Sequence, residues 1–225
     1  MSRSATAGLS PGDAFAVARE RMVARLRVQA LAGEEVLGAM AELPRHLFVD
    51  AALASRAYGR DALPIGYGQT LSHPEIVARM TEALLGEPGQ KVLEVGTGSG
   101  YQAALLASLG LRVWTLERIA GLLDRARPLW ARLGLETLIT ARHADGYRGW
   151  PEAGPFARII VTAAPRAVPA TLLAQLDEGG LLVTPLGGES DQRLLRFRLQ
   201  GDRAFREDLG ACCFVPMLSR TLGAG

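Results

Sequence analysis

The sequence is poor in the residues from which metal centres and disulfide frameworks are built. It has three histidines and two cysteines in 225 residues. His46, His73 and His143 are scattered and Cys212 and Cys213 are adjacent, so no metal-ligand spacing arises. Neighbouring cysteines meet disulfide geometry poorly, and nothing calls for an oxidising compartment. They read as two small apolar residues in a C-terminal strand. Lysine is nearly absent: Lys91 stands alone and every other base is arginine, which reads as coding bias and defines no phosphate surface. Charge is nearly balanced, with 25 basic and 23 acidic residues and a net +2, too even to imply nucleic acid as the main partner. No uninterrupted apolar run is long enough to span a bilayer. Met1 to Pro11 lacks the basic patch and apolar stretch of a signal peptide. The expectation is a cytoplasmic, monomeric protein with no metal, no membrane and no nucleic acid among its partners. Trp114, Trp130 and Trp150 read as core or edge residues rather than a base-stacking platform.

What is present is apolar and ordered in pattern. Hydrophobic residues make up 48% of the chain, enough for a real core without staples. Residues 1–12 are small and polar and are expected to be disordered, with Pro11-Gly12-Asp13 forming a turn and helix cap. Phe15, Ala18, Met22 and Leu26 then mark one face of a helix. Helical runs follow at Glu34 to Glu42 and, more briefly, Val49 to Ala57. Tyr58 to Pro74 breaks the pattern with Gly59, Pro64, Gly66, Gly68 and Pro74, and is read as a long ordered loop, a kind of segment that tends to be functional. The helical period returns from Glu75 to Leu85.

After Gly86-Glu87-Pro88-Gly89 strands and helices alternate. Strands are expected at Val92 to Val95, Arg112 to Leu116, Leu138 to Arg142, Ala157 to Thr162 and Leu181 to Thr184. Helices are expected at Gly100 to Leu109, Ile119 to Leu133 and Val168 to Leu176, the last closed by Gly179-Gly180. Leu194 to Leu199 and Cys212 to Pro216 are read as a final antiparallel pair. This grammar predicts an α/β fold, a doubly wound, mostly parallel Rossmann-like sheet with antiparallel C-terminal strands and an N-terminal helical extension. The extension with its covering loop is placed at residues 13–89 and the ligand-binding core at 90–225.

The strongest local motif is Glu94-Val95-Gly96-Thr97-Gly98-Ser99-Gly100, between a strand and a helix. A dinucleotide loop needs G-x-G-x-x-G, but position 101 is Tyr and the third glycine arrives at Gly100. The G-x-G-x-G form preceded by an acid suits S-adenosylmethionine, which has no phosphates but carries a sulfonium and an ammonium. Gly96, Thr97 and Gly98 would let the backbone approach this ligand, and Glu94 would favour its cationic end. Glu117 ends the second strand about twenty residues on, where an acid can accept both ribose hydroxyls. Asp145 and Gly146 follow the third strand, where a carboxylate can accept an adenine amino group and a glycine leaves room for the ring. Each feature also has a plainer reading: a tight turn for the loop, a solvated strand-end acid for Glu94, an Asp-Gly turn for Asp145 and Gly146.

With these motifs in place, the chain from about Arg19 to Met217 resembles the protein-L-isoaspartate O-methyltransferases. The most specific segment is Leu63-Pro64-Ile65-Gly66-Tyr67-Gly68-Gln69-Thr70-Leu71-Ser72. Val92 to Ala103, Ile159-Ile160-Val161-Thr162-Ala163-Ala164-Pro165, Gly180 to Gly187 and Phe214-Val215-Pro216-Met217 are similar to further family motifs in the same order. Leu71, His73 and Ala144 depart from it mildly.

The resemblance implies transfer of a methyl group from S-adenosylmethionine to the free carboxylate of isoaspartyl residues in damaged proteins and peptides, leaving S-adenosylhomocysteine and starting repair through a succinimide. It implies that Gln69, Thr70, Leu71 and Ser72 lie over the cofactor and that Ser72 is the active-site serine, holding one carboxylate oxygen. It also implies that Ala163, Ala164 and Val215 bind the substrate backbone as an extended strand. The acceptor is already ionised at neutral pH, so no general base is needed. On sequence alone Ser72 can instead cap the helix beginning near Pro74, and Val215 can be ordinary strand-end packing. His46 is read as structural, and His143 as solvated or second to the adenine pocket. A methyltransferase with another acceptor and a nucleotide- or NAD-binding module remain as alternatives.

Overall fold

The computed structural model describes residues 14–188 and 190–223. The expected disorder of 1–12 and the turn at Pro11-Gly12-Asp13 lie outside these residues. Helix α1 (Ala16–Val28) buries Met22, Val23 and Leu26 along one face, and α2 (Glu34–Glu42) buries Val36, Leu37 and Met40. Leu43-Pro44 ends α2, because the residue before a proline is driven out of helical geometry. Two 3-10 turns follow, Arg45–Phe48 and Ala51–Arg56; Asp50 opens the second by accepting the Ala52 amide at 2.9 Å. The brief helical run expected at Val49 to Ala57 is thus a 3-10 turn.

The segment expected to be a loop contains a β-hairpin, β1 (Leu63–Gly66) and β2 (Gln69–Leu71). Tyr67 (φ 54) and Gly68 (φ 69) form its tip, both left-handed, as a twist-matched two-residue hairpin requires. Its density of glycine and proline is the chemistry of this turn rather than of an irregular loop. Helix α3 (Pro74–Leu84) follows, with proline at its first turn where no amide partner is needed.

The remaining elements are β3 (Lys91–Val95), α4 (Tyr101–Ser108), β4 (Arg112–Glu117), α5 (Ala120–Arg132), β5 (Ile139–His143), β6 (Phe156–Val161), α6 (Ala170–Leu173), β7 (Leu176–Leu186), β8 (Arg193–Gln200) and β9 (Arg203–Ala211). One sheet orders them β5-β4-β3-β6-β7-β8-β9. Its first five strands are parallel, and β8 and β9 are added antiparallel. One apolar cluster joins α1, α2, α3, α4 and α5 to one sheet face, and Leu93, Val95, Ile159, Val161 and Leu182 belong to another. Burial on both faces accounts for the near-continuous apolar runs in β3 and β6. The N-terminal helices share this core with the sheet.

Two further expected elements are corrected. The helix expected over Val168 to Leu176 is only the four residues of α6. Leu176 is drawn into the sheet opposite Phe156, and 177–180 bulge out before pairing resumes at Leu181 with Arg158. Gly179-Gly180 serves that bulge inside β7 rather than closing a helix: a side chain on Gly180 would lie 2.7 Å from the Asp177 carbonyl. The partner of β8 is β9, a charged, exposed edge strand, and not Cys212 to Pro216. Polar residues on both faces hid β9, since an edge strand is protected by charge rather than by burial. Cys212 and Cys213 lie beyond β9, both free, and Cys213 is exposed.

Candidate active site

Strand order reverses at β3, which has β4 on one side and β6 on the other, so a crevice opens beyond their C-terminal ends. The glycine loop spans it. Gly96 has φ +100, and a Cβ there would lie 2.3 Å from Thr162 Oγ1, so only glycine fits. The Thr162 hydroxyl donates to the Gly96 carbonyl at 2.6 Å. The loop amides turn inward: Gly96 and Thr97 donate to the Leu116 carbonyl at 2.8 and 3.2 Å, and Gly98 donates to Glu117 Oε2 at 2.8 Å. A phosphate-binding loop aims such amides at its ligand. Here they are taken by the neighbouring strand, which disfavours the NAD alternative. Gly100 serves packing: a Cβ there would lie 2.8 Å from Ala126 and 2.9 Å from Trp130 Nε1, which donates to its carbonyl at 3.0 Å.

A cleft of about 350 Å³ opens over this loop. Gln69, Thr70, Leu71 and Ser72 form one wall; Gly96, Thr97, Gly98, Glu117 and Gly146 the floor; and Ala163 and Val215 the far side. Eleven predicted residues, separated by as many as 146 positions in the chain, therefore meet at one cavity. Glu117 is buried and anchored by the Gly98 amide and by the Ile119 amide at 2.9 Å on Oε1. Burial raises its pKa, while the amides of Gly98, Ile119 and Arg118 pull it down. The anchored carboxylate keeps further acceptor capacity for a diol. A Cβ on Gly146 would lie 2.3 Å from Val95 Cγ1, so the floor there is flat because glycine occupies it.

Ser72 is not the cap of α3. The cap position is His73, and no side chain bonds there. Ser72 lines the cleft instead. His73 also lines it, and burial lowers its pKa, with Glu75 opposing and Arg45 and Arg79 adding to the shift.

Three predicted residues lie outside the lining. Glu94 is fully buried behind the loop, where Thr115 donates to its Oε2 at 2.5 Å. It is no solvated strand-end acid: burial pushes its pKa up to about 8. Asp145 Oδ1 accepts the Tyr147 amide, and its Oδ2 the Arg220 amide, each at 2.9 Å. Ala164 pairs internally, its amide donating to Val215 O and its carbonyl accepting from Met217, both at 2.8 Å, so its amide is not open to a substrate strand. His46 is structural, bonded through Nδ1 to the Tyr58 hydroxyl at 2.8 Å and stacked on Phe15. His143 is exposed and bonded to the Arg118 carbonyl at 3.0 Å.

Cys213, Phe214 and Leu218 in the wall were not named as site residues from the sequence, nor was Arg45, which bonds the Ser72 carbonyl from behind it. The first three flank Val215 on the segment that carries the Phe214-Val215-Pro216-Met217 motif, which pointed to this wall without assigning them to it. Arg45 had a local signal, a charge between Pro44 and His46 in an otherwise apolar stretch.

The family model described as protein-L-isoaspartate(D-aspartate) O-methyltransferase (PCMT) matches residues 17–222. The chain belongs to that family. It is thus a member of an S-adenosylmethionine-dependent methyltransferase family. The protein-L-isoaspartate O-methyltransferase of Halorhodospira halophila is 55% identical over 204 residues, covering 89% of this chain and 91% of that protein. The one from Xanthomonas axonopodis pv. citri is 52% identical over 205 residues, covering 91% and 90%. A solved protein-L-isoaspartate O-methyltransferase superposes with a TM-score of 0.80 at 27% identity, covering 88% of this methyltransferase and 65% of that chain. A Plasmodium falciparum structure titled a putative protein-L-isoaspartate O-methyltransferase, in complex with S-adenosyl-L-homocysteine, shares the fold with a TM-score of 0.77 at 22% identity, covering 89% and 98%. No helix among the described residues of the methyltransferase is long and apolar enough to cross a membrane.

Proposed function

We propose that the cleft transfers a methyl group from S-adenosylmethionine to the free α-carboxylate of isoaspartyl residues in damaged proteins, with Ser72 holding the acceptor. The observation that carries this reading is that Ser72, at the end of the hairpin, shares one cavity with the glycine loop and Glu117. The residues present suit an adenosyl ligand without phosphates, because the loop amides face β4 and Glu117 keeps acceptor capacity. When bound, S-adenosylmethionine supplies an electrophilic methyl on sulfur and leaves as the neutral thioether of S-adenosylhomocysteine.

In this reading residues 90–225 carry the ligand and 13–89 cover it. Glu117 accepts from the ribose diol, Gly146 leaves room for the adenine, and Gly96, Thr97 and Gly98 pass under the amino-acid end. Glu94 acts from behind the loop as a buried acid, and Asp145 by fixing the chain around Gly146. The hairpin wall, Gln69 to Ser72, keeps water from the reacting atoms. The Ser72 hydroxyl donates to one acceptor oxygen and leaves the other to attack. That oxygen forms the new bond to carbon as the carbon–sulfur pair goes to sulfur, so charge is neutralised and no proton moves. Alignment at near-attack distance is the main task of the site. Ala163 and Val215 face the substrate main chain; Ala164 supports them from behind. The amide nitrogen of the following residue then attacks the ester carbonyl, loses its proton and expels methanol, closing a succinimide, the start of repair. No metal enters this chemistry.

The deciding experiment offers isoaspartyl and aspartyl versions of one peptide with methyl-labelled donor. Label recovered as volatile methanol from the isoaspartyl peptide alone is expected. Equal label from both, or none from either, would overturn the acceptor.

A further inference from the structure

Behind Ser72 lies a buried cation. Arg45, in the 3-10 turn Arg45–Phe48, is completely buried at 0% exposure. Its Nε donates to the Ala57 carbonyl at 2.7 Å and its Nη2 to the Ser72 carbonyl at 2.5 Å. The guanidinium carbon lies 4.8 Å from the centre of the Tyr101 ring, and Tyr101 itself lines the cleft. Among the described residues no carboxylate pairs with Arg45, and the polar side chain set against its guanidinium is the Tyr101 hydroxyl. Burial pulls its pKa down, opposed by Tyr101 and Tyr58. Guanidinium is so strong a base that it stays charged.

Taking a charge out of water without a counter-ion is costly, and an apolar residue of like volume is often as stable or more so. Packing alone therefore gives weak reason for an arginine here. The partners supply a better one. Ala57 and Ser72 bracket the segment 57–72 that holds the hairpin, so one planar fork ties the root of the hairpin on both sides. A guanidinium can span two carbonyls in fixed directions; an ammonium on a flexible stem cannot hold them in the same geometry.

We infer that Arg45 is a positioning residue for methyl transfer: by holding the carbonyl of Ser72 it fixes where the Ser72 hydroxyl stands in the cleft. It touches neither donor nor acceptor, and its effect on turnover passes through Ser72. The inference rests on the role given to Ser72 above.

A double-mutant cycle between Arg45→Lys and Ser72→Ala tests it, with kcat and KM for the isoaspartyl peptide, S-adenosylhomocysteine affinity and Tm measured on each protein. Arg45→Lys is expected to lower kcat about tenfold or more while leaving KM and S-adenosylhomocysteine affinity within about threefold. In the Ser72→Ala background the same change should cost less than about threefold, because the hydroxyl it positions is gone. Should the losses multiply instead, or should Arg45→Lys turn over like wild type, the assignment is overturned. A Ser72→Ala enzyme with wild-type turnover would sink the reading of Ser72 itself, and that single variant reports it separately. If Arg45→Lys does not fold, Arg45→Met, which removes the buried charge but keeps the stem, takes its place in the cycle. Failure of both to fold would make Arg45 a folding residue and end the proposal.

Discussion

The carboxylate of Asp145 ties together two stretches of chain 75 positions apart: Oδ1 takes the amide of Tyr147 and Oδ2 the amide of Arg220, each at 2.9 Å. Leu222 continues the contact, donating to the Arg118 carbonyl and accepting from the Ala120 amide. The last described residues therefore form a strap from Met217 and Leu218, which line the cleft, past the end of β4 beside Glu117.

Asp145→Ala removes both acceptors. Its predicted effect is a looser strap: faster amide exchange at Arg220 and Leu222, and S-adenosylhomocysteine affinity weaker by about tenfold, the scale of one charge-assisted hydrogen bond lost beside a ligand. Mass-spectrometric exchange and calorimetry measure the two. Unchanged exchange at 218–222 would show that the strap is held by Leu222 alone.

Glu117→Ala strikes the floor of the cleft. It loses the proposed ribose acceptor and leaves the Gly98 and Ile119 amides without their partner. S-adenosylhomocysteine binding is expected to weaken about ten- to a hundredfold, from one or two bonds to a charged group. An isotherm identical to wild type would refute the ribose contact.

Glu94 makes stability depend on pH. Burial raises its carboxyl to about 8 from an ordinary 4.5; the Thr115 hydroxyl opposes this, Glu117 adds to it, and the Ala103 amide opposes it. Between those two values the folded chain keeps a proton that the unfolded chain has released. Stability from this group therefore falls as pH rises through that window, and the loss is complete above about 8. Glu94→Gln cannot ionise, so its Tm should decline less than wild type between about pH 5 and 9. Parallel Tm–pH curves for the two proteins would contradict the buried, protonated state.

Gly121→Ala separates helix stability from hairpin position. A Cβ at Gly121 would lie 2.2 Å from the Tyr67 hydroxyl, so the exposed tyrosine at the hairpin tip must move. Arg125 holds that tip, its Nη2 donating to the Ile65 carbonyl at 2.7 Å and its guanidinium 5.5 Å from the Tyr67 ring. Alanine favours a helix by about 1 kcal/mol over glycine, so Tm should hold or rise while amide protection across 63–71 falls. A fall in Tm with hairpin protection intact would reverse this expectation.

Much of the fold was legible because its elements announce themselves locally. The face of α1 through Met22 and Leu26 and the runs of β3 and β6 follow from period and burial, which neighbouring residues encode. The glycine loop, Glu117 and the segment ending at Ser72 were legible for the same reason, as short motifs with fixed spacing. Where local chemistry pointed two ways, the reading failed. Glycine and proline in 58–74 suggested a loop and made a hairpin; Gly179-Gly180 suggested a helix stop and made a bulge; β9 was too polar to look like a strand.

By itself, then, the sequence determined the alternating sheet, the phosphate-free character of the glycine loop and the family to which the chain belongs. Tertiary structure alone decided what Glu94, Asp145, Ala164 and Arg45 do. Each of these is defined by a partner distant in the chain or by removal from water: Arg45 by Ser72, Asp145 by Arg220, Ala164 by Val215, Glu94 by the burial that keeps its proton. Such pairings leave no periodic trace, because a hydrogen bond constrains two points in space and not the residues between them.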